Sequence, residues 1–413
     1  MSKNYDICVV GLGYIGLPTA SIFAARGKKV YGLEVNPRVV ATIRRGEIHI
    51  VEPDLDILVR AGVQSGNLVA GTEPVEASAY IIAVPTPFLH GRAVPAPDLA
   101  FVESASRSIA AKVTEGCLVI LESTSPVGTT EKMRDWIGEE RARLGLPPAP
   151  GVLYAHCPER ILPGQMLKEL VSNDRLCGGL TPKASEAARD LYACFCRGEI
   201  HLTDARTAEM VKLTENASRD VQIAFANELS LVCEKLGLSV WEVIRLANRH
   251  PRVKILQPGP GVGGHCIAVD PWFIVDAAPD LTPLMQAARG VNDRKPQWVI
   301  DKVTGLAARF TAPVIACLGL VFKADVDDLR ESPSLHIVEK LAAIPGLSLL
   351  VDEPYVAELP PSLRLPHVRK VDAGEAIRRS DIVLLLVNHR IYASLDRELL
   401  RSKVVLDTRG IWS

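Results

Sequence analysis

Across the first two hundred residues, short and almost unbroken apolar runs alternate with longer mixed segments. The runs at 5–10, 29–33, 80–84, 118–122 and 152–155 predict strands, and the segment at about 17–26 predicts the first helix. Apolar runs without polar alternation mark strands buried on both faces, and so a parallel sheet covered by helices on either side. From about 204 to 248 the period lengthens. Ala208, Val211, Leu213, Ile223, Phe225, Leu229, Val232 and Leu236 recur at helical spacing, and 207–235 holds neither Gly nor Pro. This predicts one long helix stopped by Gly237, then a second helix N-capped by Ser239. Beyond 299 the opening pattern returns, with strands predicted at 312–318, 347–351, 382–387 and 404–406. The expectation is an α/β chain of two doubly wound Rossmann-like domains joined by a central helical region with one long helix, divided as 1–200, 201–298 and 299–413.

Composition narrows the function classes. The chain has 413 residues, with 47 basic and 48 acidic side chains and a formal charge of -1. That balance offers no electrostatic footprint for nucleic acid or an anionic membrane. No apolar run approaches the ~20 residues of a bilayer span. The opening Met-Ser-Lys-Asn-Tyr-Asp leads straight into the first strand, so no export peptide is expected. Nine cysteines, an odd number without a paired framework, read as reduced thiols of a cytoplasmic protein. No Cys/His quartet has zinc spacing, so no metal is expected.

Candidate chemistry begins at the first strand's end. Gly11-Leu12-Gly13-Tyr14-Ile15-Gly16 follows a strand and opens a helix. Its glycines permit a tight turn, close approach of a pyrophosphate, and tight packing of helix on strand. The free N–H groups of a helix N-terminus attract phosphate. Glu34 ends the second strand, where a carboxylate accepts ribose hydroxyls and repels a 2′-phosphate, favouring NAD over NADP. FAD stays open on this motif alone. Thr86 in Val84-Pro85-Thr86-Pro87 and Thr124 in Glu122-Ser123-Thr124-Ser125-Pro126 follow later strands, at the ligand-facing edge of such a sheet.

A second stretch carries a nucleophile candidate. Gly259, Gly261, Gly263 and Gly264 precede Cys266, and Asp270 follows four residues on. The glycines would let backbone approach a ligand, and neighbouring N–H groups suit a developing oxyanion. A buried thiol beside a flexible loop is the plain alternative. Lys212 and Asn216 are i, i+4 on the long helix, with Arg219 beyond. His250 and Arg252 suit an anionic diphosphate. Phe322, Lys323 and Arg330 follow the first strand of the third segment. Glu159 is a candidate proton acceptor or water-positioner and Arg160 a substrate anchor. Taken alone, each is compatible with an ordinary surface charge.

Together these blocks resemble the UDP-glucose/GDP-mannose dehydrogenase family. They are Gly11-x-Gly13-Tyr14-Ile15-Gly16-Leu17-Pro18, Val84-Pro85-Thr86-Pro87, Ser123-Thr124 with Gly128-Thr129-Thr130, Pro158-Glu159, Lys212-x-x-x-Asn216, Gly263-Gly264-x-Cys266-x-x-x-Asp270 and Phe322-Lys323-x-Asp325-x-x-Asp328-x-Arg330. His156-Cys157-Pro158-Glu159-Arg160 and His250-Pro251-Arg252 look like the branch that oxidises UDP-N-acetyl-D-mannosamine. The resemblance implies a four-electron oxidation at C6 with two NAD, giving the uronate for surface polysaccharide. It passes through a thiohemiacetal and a thioester on Cys266.

In that scheme Lys212 serves oxyanions or proton transfer, Asn216 holds the sugar oxygen, and Asp270, Glu159 and Thr124 order water. The cofactor set implied is Gly11, Gly13, Tyr14, Ile15, Gly16, Glu34, Arg38, Thr86, Thr124 and Arg330. The substrate set is Arg160, Ile161, Lys212, Asn216, Arg219, His250, Arg252, Gly263, Phe322, Lys323 and Arg409. Arg252 resembles an arginine that reaches a neighbouring subunit, implying a homodimer. The three segments then hold NAD, the catalytic and dimer surfaces, and the nucleotide sugar.

Two departures stand out: Glu34 replaces a frequent Asp, and Ser125-Pro126-Val127 replaces Val-Pro-Pro. UDP-N-acetylglucosamine and UDP-glucose are alternative substrates. A two-electron 3-hydroxyacid or 6-phosphogluconate type of dehydrogenase, and a non-catalytic NAD or nucleotide-sugar sensor, are the rival readings.

Overall fold

The computed structural model describes residues 4–89, 94–161, 164–264 and 266–412. By contacts the chain divides into two units, one of residues up to 215 with 272–277, the other of 216–271 with 278 onward.

The first unit is built on an eight-stranded sheet. Its strands are β1 (Tyr5–Val10), β2 (Val30–Leu33), β3 (Leu68–Gly71), β4 (Ala77–Ile82), and, past a short antiparallel pair β5 (Phe88–Leu89) and β6 (Ala96–Pro97), β7 (Leu118–Leu121), β8 (Leu153–His156), β9 (Arg175–Gly179) and β10 (Ile200–Asp204). The order is β10-β9-β8-β7-β4-β1-β2-β3. From β3 to β8 every pairing is parallel, and β9 joins β8 antiparallel. The parallel part therefore has the doubly wound order 3-2-1-4-5-6, whose strand direction of travel reverses between β1 and β4. Alternate side chains feed separate cores: Ile7, Val9 and Ile81 on one face, Cys8, Val10, Tyr80 and Ile82 on the other.

β4 starts three residues earlier than the apolar run predicts and ends at Ile82. Val84 leaves the sheet because Ser123 replaces a neighbouring strand. The Ser123 hydroxyl accepts the Val84 N–H at 2.9 Å and donates to the Val84 carbonyl at 2.7 Å. β3, β9 and β10 were not legible, being short, partly polar or glycine-containing.

The second unit repeats the architecture with β11 (Val314–Leu318), β12 (Ser348–Asp352), β13 (Val368–Lys370), β14 (Ile382–Leu385) and β15 (Val404–Asp407). All pairs are parallel, in the order β13-β12-β11-β14-β15. The long helix is Ala205–Lys235, two residues longer at its start than its Gly- and Pro-free core. Ser239 caps the helix Val240–Ala247 by accepting the Glu242 N–H. A second long helix, Pro283–Ala307, spans the 298/299 position and carries Pro296 inside it. Among the described residues no helix is long and apolar enough to cross a membrane.

Candidate active site

In the first unit the candidate cofactor residues gather at the carboxyl ends of β1, β2, β4 and β7. Gly11 turns with φ +88°, and a Cβ on Gly16 would lie 1.8 Å from the Gly11 carbonyl oxygen. A Cβ on Gly13 would meet nothing within 4 Å, so the loop presents open backbone there. Ile15 precedes the helix Gly16–Ala25 and supplies no side-chain cap, which leaves first-turn N–H groups for an anion. Glu34 accepts the Leu12 N–H at 3.0 Å and the Asn36 N–H at 2.9 Å. A carboxylate has about four acceptor sites, so ribose hydroxyls still find room. Open backbone, uncapped helix and half-used carboxylate together fit a dinucleotide. Tyr14 and Ile15 flank this loop half-buried, and Arg38 projects from the next helix, its N–H held by Asn36. Thr86 donates its hydroxyl to the Thr124 carbonyl at 2.7 Å, tying the β4 and β7 loops together.

Behind these loops lies a buried ionic network that no sequence pattern announced. Arg175 pairs with Glu159 at 2.6 Å and approaches Glu122 at 3.6 Å, with Tyr192 4.2 Å beneath its guanidinium. Tyr192 and Thr19 donate hydroxyls to Glu122 at 2.6 and 3.3 Å. Burial pushes the Glu122 carboxyl up to about 7, against the pull of Arg175 and with the push of Glu159. Glu159 is thus committed: one oxygen binds Arg175, the other accepts the Arg160 N–H at 2.8 Å. Arg160 pairs with Glu215 at 2.8 Å and donates to the Asp174 carbonyl, and Ile161 packs against the sheet core.

His156 ends β8 fully buried, and neither ring nitrogen meets a described partner. Burial, then the charge of Lys212, holds its pKa down at about 3, so the imidazole is neutral. Lys212 is itself buried on the long helix. One turn earlier, Glu209 accepts the Gly128 and Thr130 N–H groups at 2.6 and 2.8 Å, pinning that helix to the loop after β7.

In the second unit Cys266 opens a turn. Its carbonyl accepts the Val269 and Asp270 N–H groups at 3.0 and 2.8 Å, so Asp270 falls one helical turn along. The Asn216 amide donates to the Asp270 carboxylate at 2.5 Å. Of the nine cysteines Cys266 is the exposed one. His265 lies outside the described residues.

The glycines before Cys266 lie close against protein groups. A Cβ on Gly263 would come within 2.3 Å of the Glu331 carbonyl and 2.6 Å of Pro333, and one on Gly264 within 2.9 Å of the Phe322 ring. Gly259 lies against the Arg409 guanidinium, and its N–H donates to Asn227 at 2.9 Å. Arg409 also donates to the Leu386 carbonyl, and burial lowers its pKa to about 10 against the pull of Asp407. Lys323 is half-buried, and Arg330 forms a two-pronged pair with Asp328. His250 accepts the Arg252 N–H. Arg252 lines a surface groove of about 400 Å³ with Phe225 and Lys254. Arg219 is exposed, while its neighbour Asp220 turns inward to Arg289 at 2.6 Å.

Comparison with known proteins matches three successive models of one family. They are the NAD binding domain of the UDP-glucose/GDP-mannose dehydrogenase family over residues 5–196, its central domain over 206–294 and its UDP binding domain over 316–413. An NDP-N-acetyl-D-galactosaminuronic acid dehydrogenase of Ralstonia nicotianae is 57% identical over 411 residues, covering 98% of this chain and 96% of the relative. A UDP-N-acetyl-D-mannosamine dehydrogenase of Yersinia pestis is 53% identical over 418 residues, covering 98% and 99%. Among solved structures, a UDP-N-acetyl-mannosamine dehydrogenase from S. aureus superposes with a TM-score of 0.87 at 39% identity, covering 98% and 95%. With its NAD-binding and UDP-binding models matched in order along nearly the whole chain, this protein belongs to the UDP-glucose/GDP-mannose dehydrogenase family, as an NAD-dependent nucleotide-sugar dehydrogenase.

Proposed function

We propose that the protein oxidises C6 of UDP-N-acetyl-D-mannosamine to the carboxylate through a covalent intermediate on Cys266, as a cytoplasmic step toward surface polysaccharide. One observation carries the covalent part: an exposed thiol opens a turn onto Asp270, which is already hydrogen-bonded to Asn216. The named activities of relatives at 53% identity support the substrate.

The Gly11–Gly16 turn and Glu34 would hold NAD, which would supply the hydride acceptor for C6 at each of the two oxidation levels. The Cys266 sulfur adds to the aldehyde carbon, and the thiol proton passes to the oxygen. This makes the carbon tetrahedral, so that it again bears a transferable hydrogen. Oxidation of that thiohemiacetal gives a thioester. Water attacks its carbonyl carbon, the C–S bond breaks, and the thiolate is regenerated. Asn216, oriented by Asp270, holds the sugar oxygen with its remaining amide capacity. Lys212 is assigned the developing oxyanion. Asp270, Thr124 and Glu159 are assigned the water, Glu159 through the loop that it fixes with Arg175. Gly11, Gly13, Tyr14, Ile15, Gly16, Glu34, Arg38, Thr86, Thr124 and Arg330 are assigned the cofactor. Arg160, Ile161, Arg219, His250, Arg252, Gly263, Phe322, Lys323 and Arg409 are assigned the nucleotide sugar. The proposed division of labour is NAD on 1–200, catalysis and dimer contacts on 201–298, and the nucleotide sugar on 299–413. Exposed Phe225 and Val232 on the long helix support a homodimer.

The 57% identical relative is named an NDP-N-acetyl-D-galactosaminuronic acid dehydrogenase, which supports a second reading in which the acetamido group is kept and the ring stereochemistry differs. An NADH assay over UDP-N-acetylmannosamine, UDP-N-acetylgalactosamine, UDP-N-acetylglucosamine and UDP-glucose decides between them. Two NADH per sugar are expected with the first. One NADH per sugar rejects the four-electron reading, and uronate formed undiminished by Cys266→Ala rejects the covalent one.

A further inference from the structure

The carboxyl end of β11 repeats a device found at the end of β1. Gly11 and Gly319 both turn with positive φ, +88° and +92°. The Leu12 N–H donates to Glu34 at 3.0 Å, and the Leu320 N–H donates to Glu353 at 2.7 Å. Each glutamate directly follows the second strand of its sheet. The copies then diverge. Glu34 is half exposed, with acceptor capacity left for ribose. Glu353 is fully buried, and the oxygen that accepts the Leu320 N–H also meets His389, whose Nε2 lies 3.3 Å away.

His389 is also fully buried. Its Nδ1 accepts the Asp325 N–H at 2.9 Å, which leaves the ring proton on Nε2, facing Glu353. Tyr355 and Tyr392 rings lie 5.0 and 5.3 Å from the imidazole. Asp325 has φ +61°, a conformation that a non-glycine residue adopts only when held. Its carboxylate accepts the Tyr355 hydroxyl at 2.9 Å and the Arg390 Nε–H at 2.8 Å. Asp325 is the middle of the 322–331 loop. That loop's Phe322 and Glu331 lie against Gly263 and Gly264, just before Cys266. A carboxylate that in the first copy faces ribose thus serves, in the second, to aim an imidazole at a loop.

We propose that His389 is a positioning residue for the dehydrogenase reaction: held in one tautomer by Glu353, it anchors the 322–331 loop at the Asp325 N–H and, through Phe322, steadies the Gly263–Gly264 segment leading to Cys266. This rests on the reading above that Phe322, Lys323 and Cys266 serve the nucleotide sugar.

The test uses three variants of the full chain. Asparagine sets an amide oxygen close to the Nδ1 position and keeps an acceptor for the Asp325 N–H. Glutamine reaches toward Glu353 and leaves that N–H without its acceptor. Leucine removes both. In ligand-free protein, amide exchange over 322–331 is expected to speed up about tenfold in His389→Leu and His389→Gln, the scale of one lost buried hydrogen bond. KM for the nucleotide sugar is expected to rise about tenfold, because the anchored loop carries Phe322 and Lys323, with smaller changes in kcat through the Cys266 segment and in KM for NAD through Arg330. His389→Asn is expected to restore both readouts to within about threefold of wild type, since it keeps the anchoring acceptor. Wild-type exchange in His389→Gln and His389→Leu overturns the proposal, and so does a His389→Asn no better than His389→Gln. If His389→Leu does not fold, the contrast between asparagine and glutamine decides alone. The exchange readout needs no substrate, so a wild-type enzyme inactive on every sugar would reject the functional reading while exchange still judges His389.

Discussion

Cys157 and Cys266 carry the same thiol in opposite surroundings. Burial, reinforced by the adjoining Cys177, pushes the Cys157 thiol well above its usual range, whereas Cys266 is exposed. Native protein treated with a thiol-disulfide reagent should therefore show a single fast thiol, absent in Cys266→Ala, with half-buried Cys194 reacting more slowly. A fast phase that persists in Cys266→Ala would contradict this assignment. His156 gives a prediction of another kind. Its pKa falls from about 6.5 in the unfolded chain to about 3 in the fold. Between those values the unfolded chain binds a proton that the native state refuses. Stability contributed by the neutral imidazole is thus present above pH 6.5 and lost as pH falls, by about 1.4 kcal/mol per pH unit. His156→Met removes that dependence. Urea denaturation at pH 7 and pH 5 should find the variant gaining on wild type at the lower pH, and an unchanged offset would refute the account. Lys212, Asn216, Cys266 and Asp270 were legible because each belongs to a short local pattern. The surroundings of His156, Glu122 and Arg175 were not: the partners of Glu122 and Arg175 lie 16 to 103 residues away, and only tertiary packing brings them together.

At the scale of elements, the glycine-rich stretch before Cys266 was found from its spacing, and the fold adds a packing role to it. Its small residues serve close packing of the loop against Phe322, Glu331 and Pro333. Gly263→Ala sets a methyl group 2.3 Å from a backbone carbonyl, which no rotamer can relieve. The expected cost is about 1–3 kcal/mol, the range for overpacking a tight site. The urea midpoint should fall and KM for the nucleotide sugar should rise, while KM for NAD stays near wild type. An unchanged midpoint would mean that the loop is not held this way. The long helix was readable because 31 residues without a breaker leave few alternatives. The edges of β4 were not, because the Ser123 hydroxyl satisfies the Val84 backbone from another part of the chain. The roles of Glu209 and Asn227 are likewise tertiary, each reaching backbone N–H groups of a distant loop.

For the whole molecule, two sheets with their own cores predict separable losses of ligand binding. Gly16→Ala sets a methyl group 1.8 Å from the Gly11 carbonyl and should abolish NAD binding measured by fluorescence titration. Calorimetric binding of UDP should stay within about twofold, because Phe322, Lys323 and Arg409 belong to the other unit and share no partner with Gly16. Loss of both would show that the variant unfolds globally.

By itself the sequence determined the two doubly wound segments, the long helix, the dinucleotide turn and the thiol candidate. All of these rest on local periodicity, glycine spacing and neighbours within a few residues. Tertiary structure decided what those neighbours could not: that Glu159 and Arg160 are tied into ion pairs, that the loop glycines receive protein, and that the second copy's Glu353 faces an imidazole. The physical reason is that a side chain's state depends on what is buried against it, and those groups come from strands and loops far apart along the chain.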